Sequence, residues 1–178
     1  MNRTLKYYDY AQCFKHYTNC IMTIRQAKIR GEVIVAKPVL MVALIDGIDA
    51  KVFTDNRFSL NEWLEARYLT LMREYTRHSQ FDKPTDINNP FWHLATDGFW
   101  HLHLKAEADK GITPTKAWLK ENVRCACFDD DLWVLLQNKE WRTKLRDYIV
   151  EHKLTDGNRF RRLFADGLAA LASLLMVA

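Results

Sequence analysis

The chain has 178 residues, 48% hydrophobic and 27% charged, with a formal net charge of +4. That is the make-up of a globular protein long enough to bury one core, and it excludes a disordered tail, a fibrous repeat and a disulfide-stapled miniature, since four cysteines (Cys13, Cys20, Cys125, Cys127) are too few for such a framework. The charged start Met1-Asn2-Arg3-Thr4-Leu5-Lys6 has no secretory apolar core, and no apolar run reaches the ~20 residues of a membrane span, so a cytoplasmic protein with no membrane partner is expected.

In chain order, Tyr7, Tyr10, Phe14, Tyr17, Ile21 and Ile24 recur at helical spacing and predict a helix over 7–27. Gly31 interrupts it, and residues 32–36 read as a short extended entry. Lys37-Pro38 opens a second helix over 39–48, with Pro in the tolerated first turn. This helix is apolar almost all round, so it should be the central buried one. A turn is expected at Asp55-Asn56-Arg57. Ser59 with Glu62 resembles a capping box and predicts a helix to about Thr76.

Residues 77–89 are polar and contain Pro84, as in a loop. Pro90 to Leu94 suggests a helical turn, and Thr96-Asp97-Gly98 a tight turn. Residues 99–104 alternate like a strand. Thr113-Pro114 is expected to cap a helix to about Asn122, and 123–128 reads as a second strand. Asp129, expected as N-cap, with Asp130 and Asp131, suits the positive end of a helix to Leu136. Further helices are predicted over 139–152 and 159–176, the last amphipathic and suited to packing on the domain or on a second copy of the chain. The fold class is therefore mainly α with one small antiparallel hairpin (α+β), in a single domain over 1–178: a helix in 1–29, a core over 30–153 and an amphipathic helix in 159–178.

Four constellations bear on chemistry. Cys13, His16 and Cys20 share a helical face, while His101 with His103 and Cys125 with Cys127 occupy strand faces. Zinc sites favour short Cys knuckles on loops, so these cysteines read as small buried hydrophobes, and no metal or other cofactor is expected. The run Asp129–Asp131 has the composition of a Mg²⁺ site but the position of helix-start residues. Nucleophile elbows, phosphate loops and dinucleotide fingerprints are absent, so no enzyme is expected. The third constellation is cationic. Arg73, Arg77 and His78 enter the polar loop, Lys37 stands at a helix N-terminus suited to phosphate, and Lys139, Arg142, Lys144 and Arg146 share one late helix. Helix-borne Lys and Arg also serve as an ordinary solvated face. The fourth is the apolar stripe Phe160, Leu163, Phe164, Leu168, Leu171, Leu174 and Leu175.

The densest feature is aromatic: Asn89-Pro90-Phe91-Trp92-His93-Leu94 followed by Asp97-Gly98-Phe99-Trp100-His101-Leu102. Trp92, Phe99 and Trp100 read as core struts, and the polar rim is the place for a site. Taken with Lys37-Pro38-Val39-Leu40-Met41-Val42-Ala43-Leu44-Ile45-Asp46 before it and Phe128-Asp129-Asp130-Asp131-Leu132-Trp133-Val134-Leu135-Leu136 after it, this box resembles the N-terminal DNA-binding domain of HNH-type restriction endonucleases. In the type IV members that domain is a sulfur-binding domain recognising phosphorothioate DNA. The resemblance covers about residues 30–153 and implies a non-catalytic helical DNA-reading module. By position it implies that Arg77, His78 and His93 flank the modified phosphate, with Lys37 as phosphate clamp and Pro90 shaping an apolar pocket; Arg73, from the cationic constellation, is expected to bind DNA beside them. Two departures accompany it: no HNH motif follows, which suggests a separately encoded nuclease as partner, and Lys153-Leu154-Thr155-Asp156 stands where the family tends to have an aromatic and a Pro. The alternatives are a protein-interaction or homodimerising scaffold and, third, a nuclease with an unrecognised site.

Overall fold

A computed structural model describes residues 5–7, 9–77, 79–81, 83–105 and 113–155. Its axis is the apolar helix expected from the sequence, α2 (Ala36–Asp49), in which every residue from Val39 to Leu44 is fully buried. Burial of each large aliphatic side chain there contributes about 1.5–3 kcal/mol. Pro38 sits in the first turn, where a missing N–H leaves no intrahelical bond unmade.

Around α2 pack α3 (Glu62–Tyr75), α4 (Asn88–His93), α6 (Asp130–Gln137) and α7 (Lys139–Ile149), with α1 (Tyr10–Met22) laid across α6 and α7. α7 widens into a π-turn over Val150–Leu154, so the helix expected to His152 carries one wide turn instead of ending cleanly. Among the described residues there are two antiparallel pairs: β1 (Lys28–Ile29) with β2 (Glu32–Val33), and β3 (Trp100–Leu104) with β4 (Val123–Phe128), the latter separated by α5 (Lys116–Asn122). The α+β reading therefore holds, but with one more hairpin than expected.

That extra hairpin replaces the C-terminal end of the long first helix. α1 stops at Met22, and the chain turns through Arg30 (φ 50°) and Gly31 (φ 85°). Two consecutive positive φ values are the signature of a type I′ turn, whose twist matches that of paired strands. At α3 the N-cap is Asn61, whose side chain accepts from Leu64 N–H at 2.9 Å, so Ser59 does not cap, and at α5 the cap is Thr115, accepting from Trp118 N–H at 3.2 Å, in place of Thr113-Pro114. Asp129 stands at the N-cap position of α6 without a capping bond, because its carboxylate is used elsewhere. The amphipathic helix expected at 159–176 lies outside the described residues.

The aromatic box is core. Trp100, Phe99 and Phe91 are at most 1% exposed and Trp92 is 9% exposed. Trp100 packs against Phe58, Phe91 and Phe128 at centroid distances of 5.5, 5.4 and 5.1 Å, while its indole N–H donates to the Phe91 carbonyl at 3.0 Å. A buried indole without that acceptor would be costly. Phe58 extends the β3–β4 pair through two backbone hydrogen bonds with Ala126. Asn56 imitates a strand: its amide donates to the Phe128 carbonyl at 2.8 Å and accepts from the Phe128 N–H at 2.9 Å. Gly98 (φ 90°) makes the turn that lets α4 and β3 both reach this cluster.

Candidate nucleic-acid interface

α2 and α4 meet near the N-terminus of α2, and the side chains there form one polar network. Lys37 Nζ donates to Asp97 Oδ2 at 2.6 Å and to Thr96 Oγ1 at 3.4 Å. The Lys37 side chain is 11% exposed and that of Asp97 is 4% exposed. The second Asp97 oxygen accepts from the Arg25 backbone N–H at 3.1 Å. Lys37 is thus engaged by a carboxylate sixty positions away, which differs from the free phosphate clamp expected of a lysine at a helix N-terminus.

His93, the last residue of α4, is half-buried, with Nε2 2.7 Å from Thr113 Oγ1. Burial, reinforced by the positive charge of Lys37, holds its pKa below the ordinary histidine value. The ring is therefore neutral at neutral pH. Pro90 lies three residues before it, buried within the first turn of α4, and fixes the backbone rather than presenting a surface. Thr96 closes this corner by donating to the His93 carbonyl at 2.8 Å.

Lys153 arrives from the π-turn after α7. Its ammonium donates to the Met22 carbonyl at 2.8 Å and to Gln26 Oε1 at 3.2 Å, and burial lowers its pKa against the opposing pull of Asp97. Sequence reasoning missed Asp97, Thr113 and the capping role of Lys153, because each becomes a neighbour only through tertiary packing. The Asp97-Gly98 turn was the available signal.

Arg73 and Arg77 lie apart from this network. Arg73 is exposed in the last turn of α3, and Arg77 is exposed just past its end, where the helix dipole favours a cation. Neither has an ion-pair partner among the described residues. His78 lies outside the described residues. The loop that follows is anchored at both ends: Tyr68 donates to the Thr85 carbonyl at 2.9 Å, and Gln80 donates from its side chain to the Arg30 carbonyl at 3.0 Å and from its backbone to Glu32 Oε2 at 3.2 Å. The β1–β2 hairpin thus runs from the Lys37–Asp97 corner at its stem to the Arg77 loop at its tip.

The basic late helix is largely consumed by structure. Arg142 pairs with Asp49, Lys144 with Glu140, and Arg146 with Asp46, each at 2.6 Å; Asp46 also takes Arg67. The acidic run is likewise engaged. Asp129 accepts from Tyr17 at 3.0 Å and faces His101 Nε2 at 2.6 Å, while Asp131 accepts the backbone N–H groups of Lys6 and Tyr7. His103 and Cys127 approach to 3.2 Å across the β3–β4 face. Burial pushes the Cys13 thiol up to about 12, the behaviour of an inert buried cysteine. Among the described residues no three metal-ligating groups converge, and no helix is long and apolar enough to cross a membrane.

Comparison with known proteins agrees with this architecture. The chain resembles the solved sulfur-binding domain of ScoMcrA complexed with phosphorothioated DNA, at 16% identity and a TM-score of 0.57, over 79% of this chain and 90% of that one. It resembles the sulfur-binding domain of SprMcrA, also complexed with phosphorothioated DNA, at 13% identity and a TM-score of 0.57, over 84% and 90%. A structure joining the ScoMcrA sulfur-binding and SRA domains matches at 18% identity and a TM-score of 0.58, over 75% of this chain and 41% of that one. No curated protein matches by sequence. At these identities the likeness establishes the fold, but the model of the ScoMcrA-like DNA sulfur-binding domain matches residues 50–170, which is most of the chain. The chain belongs to the ScoMcrA-like DNA sulfur-binding domain family.

Proposed function

We propose that the chain binds duplex DNA and selects a phosphorothioate linkage, and that it carries recognition alone, with cleavage supplied by a partner nuclease. The observation that carries this reading is the family match across residues 50–170, which spans the Arg73–Arg77 approach and the His93 corner. Arg73 and Arg77 offer exposed cations for phosphates. Lys37 acts through Asp97, holding the corner on which His93 stands, and His78 completes the basic approach by sequence position. Pro90 sets the entry of α4.

A neutral, partly buried His93 has a chemical consequence. A phosphate whose oxygen is replaced by sulfur is bulkier and less well hydrated. A site with an uncharged, partly desolvated wall loses less on accepting it than on stripping water from an ordinary phosphate. The cations then supply affinity and the wall supplies selectivity.

Arg77→Ala tests the assignment. With one phosphate contact removed, log K against log[salt] should flatten by ~0.9, with weaker binding to all duplexes. An unchanged slope and affinity would remove Arg77 from the interface.

A further inference from the structure

The β1–β2 hairpin precedes residues 50–170, the part of the chain that the family model matches. Cross-strand partners Lys28 and Val33 point to one face, and Ile29 and Glu32 to the other. Ile29 and Val33 are each 48% exposed, so neither face of the ribbon is covered. Two-residue strands open to solvent on both sides are not self-supporting. This pair is held at its base by the Ile34 N–H to Ala27 carbonyl bond at 2.9 Å and at its tip by Gln80.

The charges are arranged for an anion. Lys28 and Arg30 are exposed and have no ion-pair partner among the described residues, whereas the one ribbon carboxylate, Glu32, lies on the face opposite Lys28, where it accepts from the Gln80 N–H. Arg30 also holds φ 50°, a conformation that costs a long side chain about 1–2 kcal/mol and that Asn or Gly adopts readily. A cation kept at a strained tip, beside exposed aliphatic side chains, is a feature of contact rather than of stability.

We propose that this ribbon is a second DNA-reading element that enters the major groove next to the bound phosphate with its Lys28–Val33 face inward, Lys28 and Arg30 on the flanking phosphates and Val33 toward base edges. The inference rests on the reading of the chain as a DNA-binding module. A two-stranded ribbon has the width the major groove admits, and aliphatic side chains there meet thymine methyl groups. Gln80 couples the ribbon tip to the loop carrying Arg77, so both elements approach one duplex together.

The test uses the full chain with Lys28→Thr and Arg30→Asn combined. Thr suits a strand, and Asn-Gly suits the type I′ turn better than Arg-Gly does, so the charge leaves while the hairpin stays. Binding of a phosphorothioate duplex should weaken about tenfold, and the salt slope should fall by about 1.8, two phosphates at ~0.9 each. A duplex whose major groove is filled by glucosylated 5-hydroxymethylcytosine should cost the parent chain affinity. Unchanged affinity and slope in the variant, or no loss by the parent chain on the filled duplex, would overturn the ribbon proposal and leave the DNA-binding reading intact. A parent chain that binds no duplex would overturn both.

Discussion

Lys37 Nζ and Asp97 Oδ2 lie 2.6 Å apart with both side chains almost out of solvent, joining the start of the central helix to the turn before β3. Removing one partner of a pair held this far from water leaves the other charge uncompensated, at a typical cost of about 3–5 kcal/mol. Asp97→Ala should therefore lower the unfolding free energy by about 3 kcal/mol in urea titration, losing the Arg25 N–H bond as well. The double variant Lys37→Met, Asp97→Ala should recover part of that loss, because no lone charge remains buried.

His93 makes stability depend on pH. Its folded pKa lies below the ordinary value of 6.5, because burial and Lys37 disfavour the cation. As pH falls below 6.5, the unfolded chain takes up a proton that the folded chain resists, so unfolding becomes easier. In His93→Gln the decline of stability between pH 6.5 and the folded pKa should be shallower than in the parent chain. Equal slopes in chemical denaturation across that window would contradict the assignment.

Gly47 gains nothing from the usual helix argument. Alanine is better than glycine in a helix interior by about 1 kcal/mol. A Cβ at this position, however, would meet the buried Phe53 ring at 2.6 and 2.7 Å and Trp63 at 3.0 Å. Overpacking of that kind costs about 1–3 kcal/mol, so Gly47→Ala should lower the melting temperature despite better helix propensity.

Lys51 holds the opposite opportunity. It has φ 58° just past α2, with its N–H bonded to the Ile48 carbonyl at 3.1 Å and the Val52 N–H bonded to the Gly47 carbonyl at 2.8 Å. That is a Schellman ending, in which glycine is the relaxed residue. Lys51→Gly should raise stability by about 0.5–1 kcal/mol without altering DNA binding, as urea midpoints and duplex titrations will show.

The elements that were legible in the sequence are those whose signal is local. The unbroken apolar run Val39–Ile45 behind Lys37-Pro38 identifies α2, and the residues of β4 match the expected 123–128 to both ends. The aromatic box was legible as core for the same reason, since Phe91, Trp92, Phe99 and Trp100 bury together. The β1–β2 hairpin was hidden because its strands have two residues each and Arg-Gly is not the usual type I′ pair. The site was harder still. Whether Lys37, Arg142 or Arg146 is a free cation depends on Asp97, Asp49 and Asp46, partners sixty to a hundred positions away. No spacing rule connects them, so the late helix read as a cationic surface, whereas Arg142 and Arg146 tie α7 to α2. Arg73 and Arg77 keep the exposure that their place at the end of α3 implied.

We propose that this chain recognises sulfur-modified DNA. Fluorescence anisotropy with matched phosphorothioate and ordinary duplexes at several salt concentrations tests it most directly. Tighter binding of the phosphorothioate duplex at every salt, with both affinities falling steeply and in parallel as salt rises, is the result expected of cations that supply affinity and an uncharged wall that supplies selectivity. Equal affinity for the two duplexes would contradict the sulfur selectivity, and no binding to either at ~50 mM salt, where phosphate contacts are least screened, would contradict the account as a whole.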